Sequence, residues 1–476
     1  MSHTFFWYDL ETSGISAGTD RIMQFAGQRT TLNLEPIGEP VNILIRLADD
    51  ILPSPEAIFI TGITPQQTRA DGITEVEFLK IFEKEVATPG TIFAGFNSVR
   101  FDDEFMRYLH YRNFYDPYVW QWKDERSRWD LLDVVRMTRA LRPDGIEWPF
   151  VDGVATNRLE LLTKANNIAH VHAHDALADV EACIAIAKLI QQKQPKLFDW
   201  LLKLRDKKTV RDLVMSGQPF VYSSGKYATE HEKTSVVMLL AGHPKKQGAL
   251  VYDLRVDPSE FLDMTPEQLY ERWKWEKQPT TSRLPIKTLQ FNRCPAVAPY
   301  GVLDPASKER IHLDEAKIKK HRAILQAHPE FITQVLVALS KLDDEQARRY
   351  AEPKFVDKQL YDGFIAPGDS KQMPVFRSAD PAHFAEVATK FTDERLRKLA
   401  PLYKARNYPK LLTDEERQVW EKYRQEKLLS GGQRSEAAQY FEKLGQLYQA
   451  ASSDQRFLIE ELQLYAESIL PIDTTD

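Results

Sequence analysis

Two carboxylates stand near the start of the chain, at Asp9 and Glu11. They follow an apolar run at residues 5–8 that is typical of a short buried strand. Side chains two positions apart on a strand share one face, so this spacing predicts that both carboxylates point the same way. Such a pair repels unless a cation lies between its members, and hard oxygen ligands suit Mg²⁺ or Mn²⁺. A polar strand end before the turn at Ser13 and Gly14 would give the same pattern without a metal.

Further candidates occur at the starts of two predicted helices. Asp102 belongs to an acidic triplet that follows a predicted strand at residues 91–96, where it can either complement the helix dipole or join a site. If Asp175 caps the second helix, His174 lies in the preceding loop and Asp179 projects from the first turns. Both can then reach a common centre with Asp9 and Glu11. A histidine that only caps or packs is the alternative for His174.

Together these elements supply four carboxylates and one histidine. Two-metal hydrolysis of a phosphodiester needs that inventory, because carboxylates hold two cations about 4 Å apart, one activating water and one stabilising the leaving oxygen. A histidine with an ordinary pKa near 6.5 suits the removal of a proton from water at neutral pH. The candidate catalytic residues are Asp9, Glu11, Asp102, Asp179 and His174.

The pattern of strand-like and helical segments along the chain predicts which elements position these residues. Residues 1–190 alternate strand-like runs with helical patterns, which indicates an α/β domain. Residues 195–348 contain short strand candidates at 235–240, 249–254 and 286–291, with helical material from 305 to 345. Residues 350–476 are charged and helical, and include a capping box from Thr413 to Glu416. We therefore expect three domains with these bounds.

Composition sets wider limits. A chain of 476 residues with 43% hydrophobic content can fill more than one core. Its two cysteines, Cys183 and Cys294, cannot build a disulfide framework. The start of the chain lacks a signal peptide and the apolar runs are too short to cross a bilayer, so we expect a soluble cytoplasmic protein without a membrane partner. The net charge of −6 argues only mildly against a nucleic-acid partner, because a nuclease needs just a local basic groove.

Several segments resemble those of a known family. The three candidate elements are similar to the exonuclease motifs of the DEDDh superfamily, and they read WYDLET at 7–12, GFNSVRFDD at 95–103 and AHDALAD at 173–179. More narrowly, the chain resembles the bacterial exonuclease I (exodeoxyribonuclease I) family. That similarity extends over essentially the whole chain, through ITGITP at 60–65, YRNFYDP at 111–117, SRWDLLD at 127–133, RLE at 158–160, QLYDGF at 359–364 and YKARN at 403–407.

The resemblance implies an architecture and an activity. It implies an RNase H-like exonuclease domain, then an SH3-like β-barrel domain, then a helical C-terminal domain. It also implies 3′→5′ degradation of single-stranded DNA to 5′-mononucleotides, in DNA repair and recombination, by a processive monomer. Asp9, Glu11, Asp102 and Asp179 would hold two Mg²⁺ ions, which Mn²⁺ could replace, and His174 would be the general base. Leu10, the middle residue of the first motif, would face away from the metals.

Aromatic and basic residues alternate between residues 107 and 129, in a pattern that could hold a DNA strand. Aromatic faces stack on unpaired bases for about 1–3 kcal/mol each, and arginine neutralises phosphate. We expect most of these rings to be core, with Tyr118 and Trp122 touching bases. The expected phosphate contacts are Arg107, Arg136 and Arg158, with Lys287, Asn292 and Arg293 as weaker candidates in the second domain.

A protein partner is also implied by the resemblance. Members of this family bind the acidic C-terminal tail of single-stranded DNA-binding protein, which ends in a carboxylate and an aromatic side chain. A receptor for such a tail needs a cationic side chain beside an apolar pocket. Arg142 is a candidate anchor and Trp200 a candidate wall, although Arg142 could simply be solvated in the loop before Pro143.

Two other functions fit parts of the sequence. The same superfamily includes exonucleases that act on RNA, and no residue separates the two substrates from first principles. A single-strand-binding or scaffolding protein that has kept an inactive site is the other alternative. The intact set of five catalytic residues argues against it.

Overall fold

The computed structural model describes residues 3–170, 175–274, 281–350 and 355–471. The first part of the chain forms a mixed sheet with helices around it. Its strands are β1 (Thr4–Thr12), β2 (Ile22–Thr30), β3 (Val41–Leu44), β4 (Thr91–Gly95) and β5 (Ser127–Asp130), followed by a hairpin of β6 (Phe150–Val151) and β7 (Val154–Ala155). Its helices are α1 (Pro55–Thr61), α2 (Pro65–Asp71), α3 (Glu75–Ile81), α4 (Asp102–Arg112), α5 (Leu131–Leu141), α6 (Leu159–Ala165) and α7 (Ala176–Lys193).

The sheet has the strand order β3-β2-β1-β4-β5. β4 runs parallel to both β1 and β5, whereas β2 is antiparallel to β1 and to β3. Alternation along β1 sends Phe5 and Trp7 into one core, and Phe6 and Tyr8 into another on the opposite face. The carboxylates that follow therefore continue the face of Phe5 and Trp7, against which α7 packs.

The second part of the chain is built on an antiparallel sheet. Its strands are β8 (Phe220–Ser223), β9 (Thr234–Gly242), β10 (Gly248–Asp253), β11 (Ile286–Gln290) and β12 (Ala296–Pro299), in the order β11-β10-β9-β8-β12. Its helices are α8 (Pro195–Lys203), α9 (Lys207–Val214), α10 (Pro266–Trp273), α11 (Pro305–Arg310), α12 (Glu315–Ala327) and α13 (Glu330–Tyr350). One hydrophobic core runs from the first sheet into this one, so the two parts are packed together without a gap.

The third part is helical. Its helices are α14 (Pro367–Ser378), α15 (Phe384–Ala388), α16 (Glu394–Asn407), α17 (Asp414–Leu429), α18 (Glu436–Ala450) and α19 (Ser453–Ile469). The predicted capping box begins α17, where the Thr413 side chain and Glu416 exchange hydrogen bonds with each other's backbone amides. Phe114 and Met23 of the first part pack into the apolar clusters of these helices. The C-terminal helices therefore pack directly against the first part of the chain.

The architecture agrees with the predicted order of α/β, β-rich and helical parts. All the predicted strands are present, β1 and β9 with longer bounds than predicted and the others within one residue at each end, but the short strands β3, β5, β8 and β12 were not predicted. β8 is buried at every position, so its sequence carries no alternation of apolar and polar residues. The divisions near residues 190 and 350 stay a prediction. None of the helices in the described ranges combines the length and apolarity needed to span a membrane.

Candidate active site

β1 carries the first two acidic residues on its carboxyl-terminal half. Its parallel pairing with β4 stops at Trp7, so Asp9 and Glu11 extend past that neighbour and pair only with β2. Leu10 between them is buried in the core on the opposite face, as predicted. The strand therefore holds both carboxylates rigidly at an open edge of the sheet.

Helix α7 brings a third carboxylate to the same place. The Asp175 side chain caps α7 by accepting hydrogen bonds from the backbone amides of Leu177 (3.1 Å) and Ala178 (3.2 Å), which confirms the predicted cap. Asp179 then projects from the first turn toward β1. One carboxylate oxygen from each of Asp9, Glu11 and Asp179 lies within 4.8 Å of the others, a spacing that suits a shared cation.

Asp102 approaches from the other side of β1. It is the first residue of α4 and is buried beside the neighbouring acid Asp103. Asp103 has a structural role, because it accepts a hydrogen bond from the Tyr8 hydroxyl (2.7 Å) and forms a buried ion pair with Arg128. Asp102 is not one of the three clustered carboxylates, but it is close enough to Asp9 to be repelled by its negative charge.

The electrostatics of this group require a counter-ion. Burial raises the pKa of Asp9, and the charges of Asp179 and Asp175 raise it further. Burial, followed by the charges of Asp9 and its neighbours, raises the pKa of Glu11 to about 9. The pKa of Asp102 is raised by burial and by Asp9. Desolvated carboxylates that repel one another are stabilised by a cation, so the residues present fit a divalent metal.

A histidine that the sequence analysis missed lies next to this group. His170 places Nε2 2.7 Å from Oδ1 of Asp179, and its Nδ1 is 3.2 Å from the Thr163 hydroxyl. The predicted base, His174, lies outside the described residues, in the segment 171–174. Histidines recur at alternate positions from 170 to 174, and that pattern was the signal that could have identified His170.

The predicted base-stacking residues lie on the segment after α4. Trp122 is 62% exposed, which leaves its ring available to a base. Tyr118 is half-buried, with the guanidinium of Arg107 5.7 Å from its ring centre. Arg107 itself is buried and bonded to Glu104 and to Gln121 (3.1 Å). Trp122 is thus the best placed of these residues for stacking, whereas the arginine mainly holds Tyr118 in place.

The other arginines that were predicted to contact phosphate already bind acidic side chains of the protein. Arg136 donates to Asp133 (2.6 Å), and Arg158 is exposed with its Nε 2.5 Å from Glu160. Arg100, which was not predicted, also pairs with Asp133, with Nη2 2.5 Å from its carboxylate. All three retain contact with solvent and stay candidates.

The second domain adds positive charge near α4. Burial lowers the pKa of Lys226, and the charges of Arg100 and Arg293 lower it further. Burial likewise lowers the pKa of Lys287 to about 8. Arg293 reaches Glu104 on α4 across 3.4 Å. Cations crowded enough to disfavour their own charge form the local basic surface that a strand of phosphates would neutralise.

Of the two candidate partner-binding residues, Arg142 contacts the second domain and Trp200, on α8, belongs to it. Arg142 donates to the Val302 carbonyl (2.7 Å) and pairs with Asp304 (3.1 Å). The indole of Trp200 donates to the Val297 carbonyl (2.8 Å). Arg142 is therefore not simply solvated, and any tail that binds it must compete with Asp304.

Three family models match successive parts of the chain. A model described as Exonuclease matches residues 6–187, one described as Exonuclease I SH3-like domain matches residues 205–341, and one described as Exonuclease I C-terminal domain matches residues 354–469. The exonuclease model and the acidic cluster together indicate dependence on a divalent metal.

Known proteins match along nearly the whole length. Exodeoxyribonuclease I of Haemophilus influenzae is 40% identical over 89% of this chain and 90% of its own. The crystal structure of Escherichia coli exonuclease I with a dA16 oligonucleotide is 38% identical and covers 98% of this chain and 100% of its own, with a TM-score of 0.92. A structure of SSB and exonuclease I with the inhibitor CFAM is 37% identical and covers 99% of this chain and 100% of its own, with a TM-score of 0.89.

Proposed function

The chain belongs to the exonuclease I family and is a 3′→5′ exonuclease of single-stranded DNA, and from that premise we propose that the acidic group on β1, α4 and α7 is its catalytic centre. The proposed metal ligands are Asp9, Glu11, Asp102 and Asp179. The observation that carries this proposal is the approach of three carboxylates from two elements to within 4.8 Å of one another. The RNA alternative is not favoured, because relatives that match along most of the chain are exodeoxyribonucleases.

The chemistry follows from this arrangement. Asp9, Glu11, Asp102 and Asp179 would hold two Mg²⁺ ions, or Mn²⁺ in their place, which when bound would activate a water and stabilise the leaving oxygen. Asp9 and Glu11 are fixed by the strand, and Asp179 by the capped first turn of α7, so the ligands are positioned before the substrate arrives. His174 accepts the proton of the attacking water at an imidazole nitrogen. The products are 5′-mononucleotides.

The strand is held by both base and phosphate contacts. Trp122 and Tyr118 stack on bases, and Arg158, Arg136 and Arg107 are the proposed cations on the exonuclease side. Arg293 of the second domain contacts Glu104 on α4, and we propose that Lys226 and Lys287 extend this surface. Continuous neutralisation along several phosphates favours repeated cleavage without release, so we propose a processive enzyme of DNA repair and recombination.

We further propose that this cytoplasmic enzyme acts as a monomer and is recruited by a protein partner. The complex of SSB with a 37% identical exonuclease I supports single-stranded DNA-binding protein as that partner. Its acidic C-terminal tail would bind at Arg142 beside Trp200, where a carboxylate can replace Asp304.

Replacing Asp9 with Ala tests the catalytic centre. We expect cleavage of a labelled DNA oligonucleotide in Mg²⁺ to be abolished, because a ligand central to the group is lost. DNA binding, measured by fluorescence anisotropy, should be retained. Asp199→Ala, at an exposed position on α8, is the matched control and should cleave normally. Cleavage by Asp9→Ala at the wild-type rate would overturn the assignment.

A further inference from the structure

A polar cavity lies away from the catalytic group, between the first sheet and the C-terminal helices. Its volume is about 140 Å³, several times the space of one water molecule. Its walls come from the segment after β3, from the start of α3, and from α16 and α17. Residues of the YKARN segment at 403–407 line it, including Arg406 and Asn407. The function described above gives this segment no role.

The acidic side chains in the cavity wall are already neutralised. Glu75 receives two hydrogen bonds from Nε of Arg112, at 2.8 and 2.9 Å. Asp49 pairs with Arg69 (2.7 Å). Glu421 pairs with its neighbour Arg424 (2.7 Å). No carboxylate among these three is left to balance another cation.

The basic side chains in the wall are not all neutralised. Arg406 is paired with Asp50 (2.8 Å) and Asp357 (2.7 Å). Arg21 shares Asp357 at 3.5 Å, and its buried Nε has no hydrogen-bond partner within the described chain. Arg46 and Arg417 also line the cavity, and in the part of the chain that the structure describes neither side chain has a recorded hydrogen bond or ion pair. The cavity therefore carries a surplus of positive charge from three arginines.

We propose that this cavity binds a phosphate group, either as inorganic phosphate or as the phosphate of a nucleotide. Arginine presents a planar fork of donors that matches phosphate oxygens. Arg46 comes from the exonuclease domain and Arg417 from the C-terminal helices, with the buried Nε of Arg21 as a third donor. Guanidinium groups from three separate segments of the chain suit an anion whose oxygens point in several directions. A carboxylate, with two oxygens in one plane, satisfies them less well.

Binding here would join two domains. A phosphate held by Arg46 and Arg417 adds charge-assisted hydrogen bonds across their interface, so it stabilises the docked C-terminal helices. Because the cavity lies apart from Asp9 and its neighbours, this site is independent of the catalytic assignment. A failure of one proposal leaves the other standing.

Calorimetric titration of the full chain with inorganic phosphate tests the site. The titration is done with chelator present and at constant ionic strength, so that no metal draws phosphate to the catalytic group. We expect binding to the wild type together with a rise in Tm. Arg46→Gln and Arg417→Gln should each bind about tenfold more weakly or worse, since each loses charge-assisted hydrogen bonds. Thymidine 5′-monophosphate and thymidine are titrated into the protein in parallel experiments.

The controls decide each outcome. Arg397→Gln, an exposed arginine on α16, should bind like the wild type. Tighter binding of the monophosphate than of phosphate identifies a nucleotide as the ligand, and equal binding identifies the free ion. Circular dichroism checks that both variants fold. If Arg46→Gln does not fold, the test rests on Arg417→Gln alone, because Arg417 is exposed and its replacement should leave the fold intact. Absence of binding to the wild type, or undiminished binding to Arg417→Gln, would overturn the proposal.

Discussion

At the scale of single residues, the fold brings three carboxylates from two different elements into one group. Asp9, Glu11 and Asp179 are held by a strand and a capped helix, which is why residue type and spacing were enough to predict them. His170 was missed because the position of Asp175 as a helix cap, and the family motif, both directed attention to His174 alone among the three nearby histidines. Its contact with Asp179 depends on how the chain returns from α6 to α7.

Replacing His174 with Ala should lower turnover by about 10²–10⁴-fold, the usual contribution of a positioned general base. Mg²⁺ affinity and DNA affinity should change little, because His174 is proposed as a base and not as a ligand. Single-turnover cleavage and metal titration measure the two effects separately. His383→Ala, at an exposed position in the C-terminal domain, is the control. A parallel loss of metal affinity would contradict the role.

At the scale of elements, a buried ion network fastens the C-terminal helices to the first domain. Arg406 on α16 lies between Asp50, which precedes α1, and Asp357. Lys427 on α17 adds a contact to Asp50 at 2.9 Å. Both carboxylates are buried, so a missing cation would leave uncompensated charge in the interface.

Arg406→Met should therefore reduce the free energy of unfolding by about 3–5 kcal/mol. Urea unfolding followed by tryptophan fluorescence measures the loss. Arg397→Met, exposed on the same helix, should stay within about 0.5 kcal/mol of the wild type. If the two variants are equally stable, the network does not fasten the domains.

The same network predicts a pH dependence. Burial alone would raise the pKa of Asp50 and Asp357, but Arg406 and its neighbouring cations overcome this and hold both pKa values well below normal. The stability from these groups is therefore complete above their unfolded pKa, about 4, and is lost as the pH falls toward the folded values. In Arg406→Met the two carboxyls lose their strongest cationic partner, although Lys427 and Arg21 remain, and should take up protons more readily. The stability gap to the wild type should then narrow between pH 7 and pH 4, and a constant gap would argue against this account.

Elements differ in how far the sequence predicts them. β1, the Asp175 cap and the Thr413 capping box follow from local patterns, and all three are present. The four-residue strands β8 and β12 show no alternation of apolar and polar residues in the sequence. Whether they form strands depends on packing against both of their faces. The Arg406 network joins positions more than 300 residues apart, and no local pattern indicates such a pair.

At the scale of the whole molecule, the three domains converge on α4, the helix that begins with Asp102. Glu104 on its first turn is reached by Arg293 of the second domain and by the Tyr361 hydroxyl from the segment that leads into the C-terminal helices. A strand whose end reaches Asp102 therefore lies close to all three domains. That arrangement supports the proposed grip on several nucleotides at once, and residue spacing alone could not predict it.

Recruitment by single-stranded DNA-binding protein gives a prediction at this same scale, because the candidate site spans two domains. The Arg142 side chain is 34% exposed and that of Asp304 47%, so an incoming carboxylate can reach the pair. Arg142→Gln should weaken binding of a fluorescent tail peptide about tenfold or more. Asp304→Asn should tighten it, since the competing charge is removed.

Asp304→Asn is a specific test of charge because the substitution should leave the helix cap at this position intact. Asp304 caps α11 by accepting a hydrogen bond from the Ser307 amide (2.7 Å), and asparagine is an equally good cap. The change therefore removes charge and little else. Binding should also weaken with added salt and with an amidated peptide, since a surface charge pair is screened and needs the terminal carboxylate. Unchanged affinity in both variants would show that Arg142 is not part of the binding site. Absence of binding to the wild type would show that the tail is not a partner of this protein.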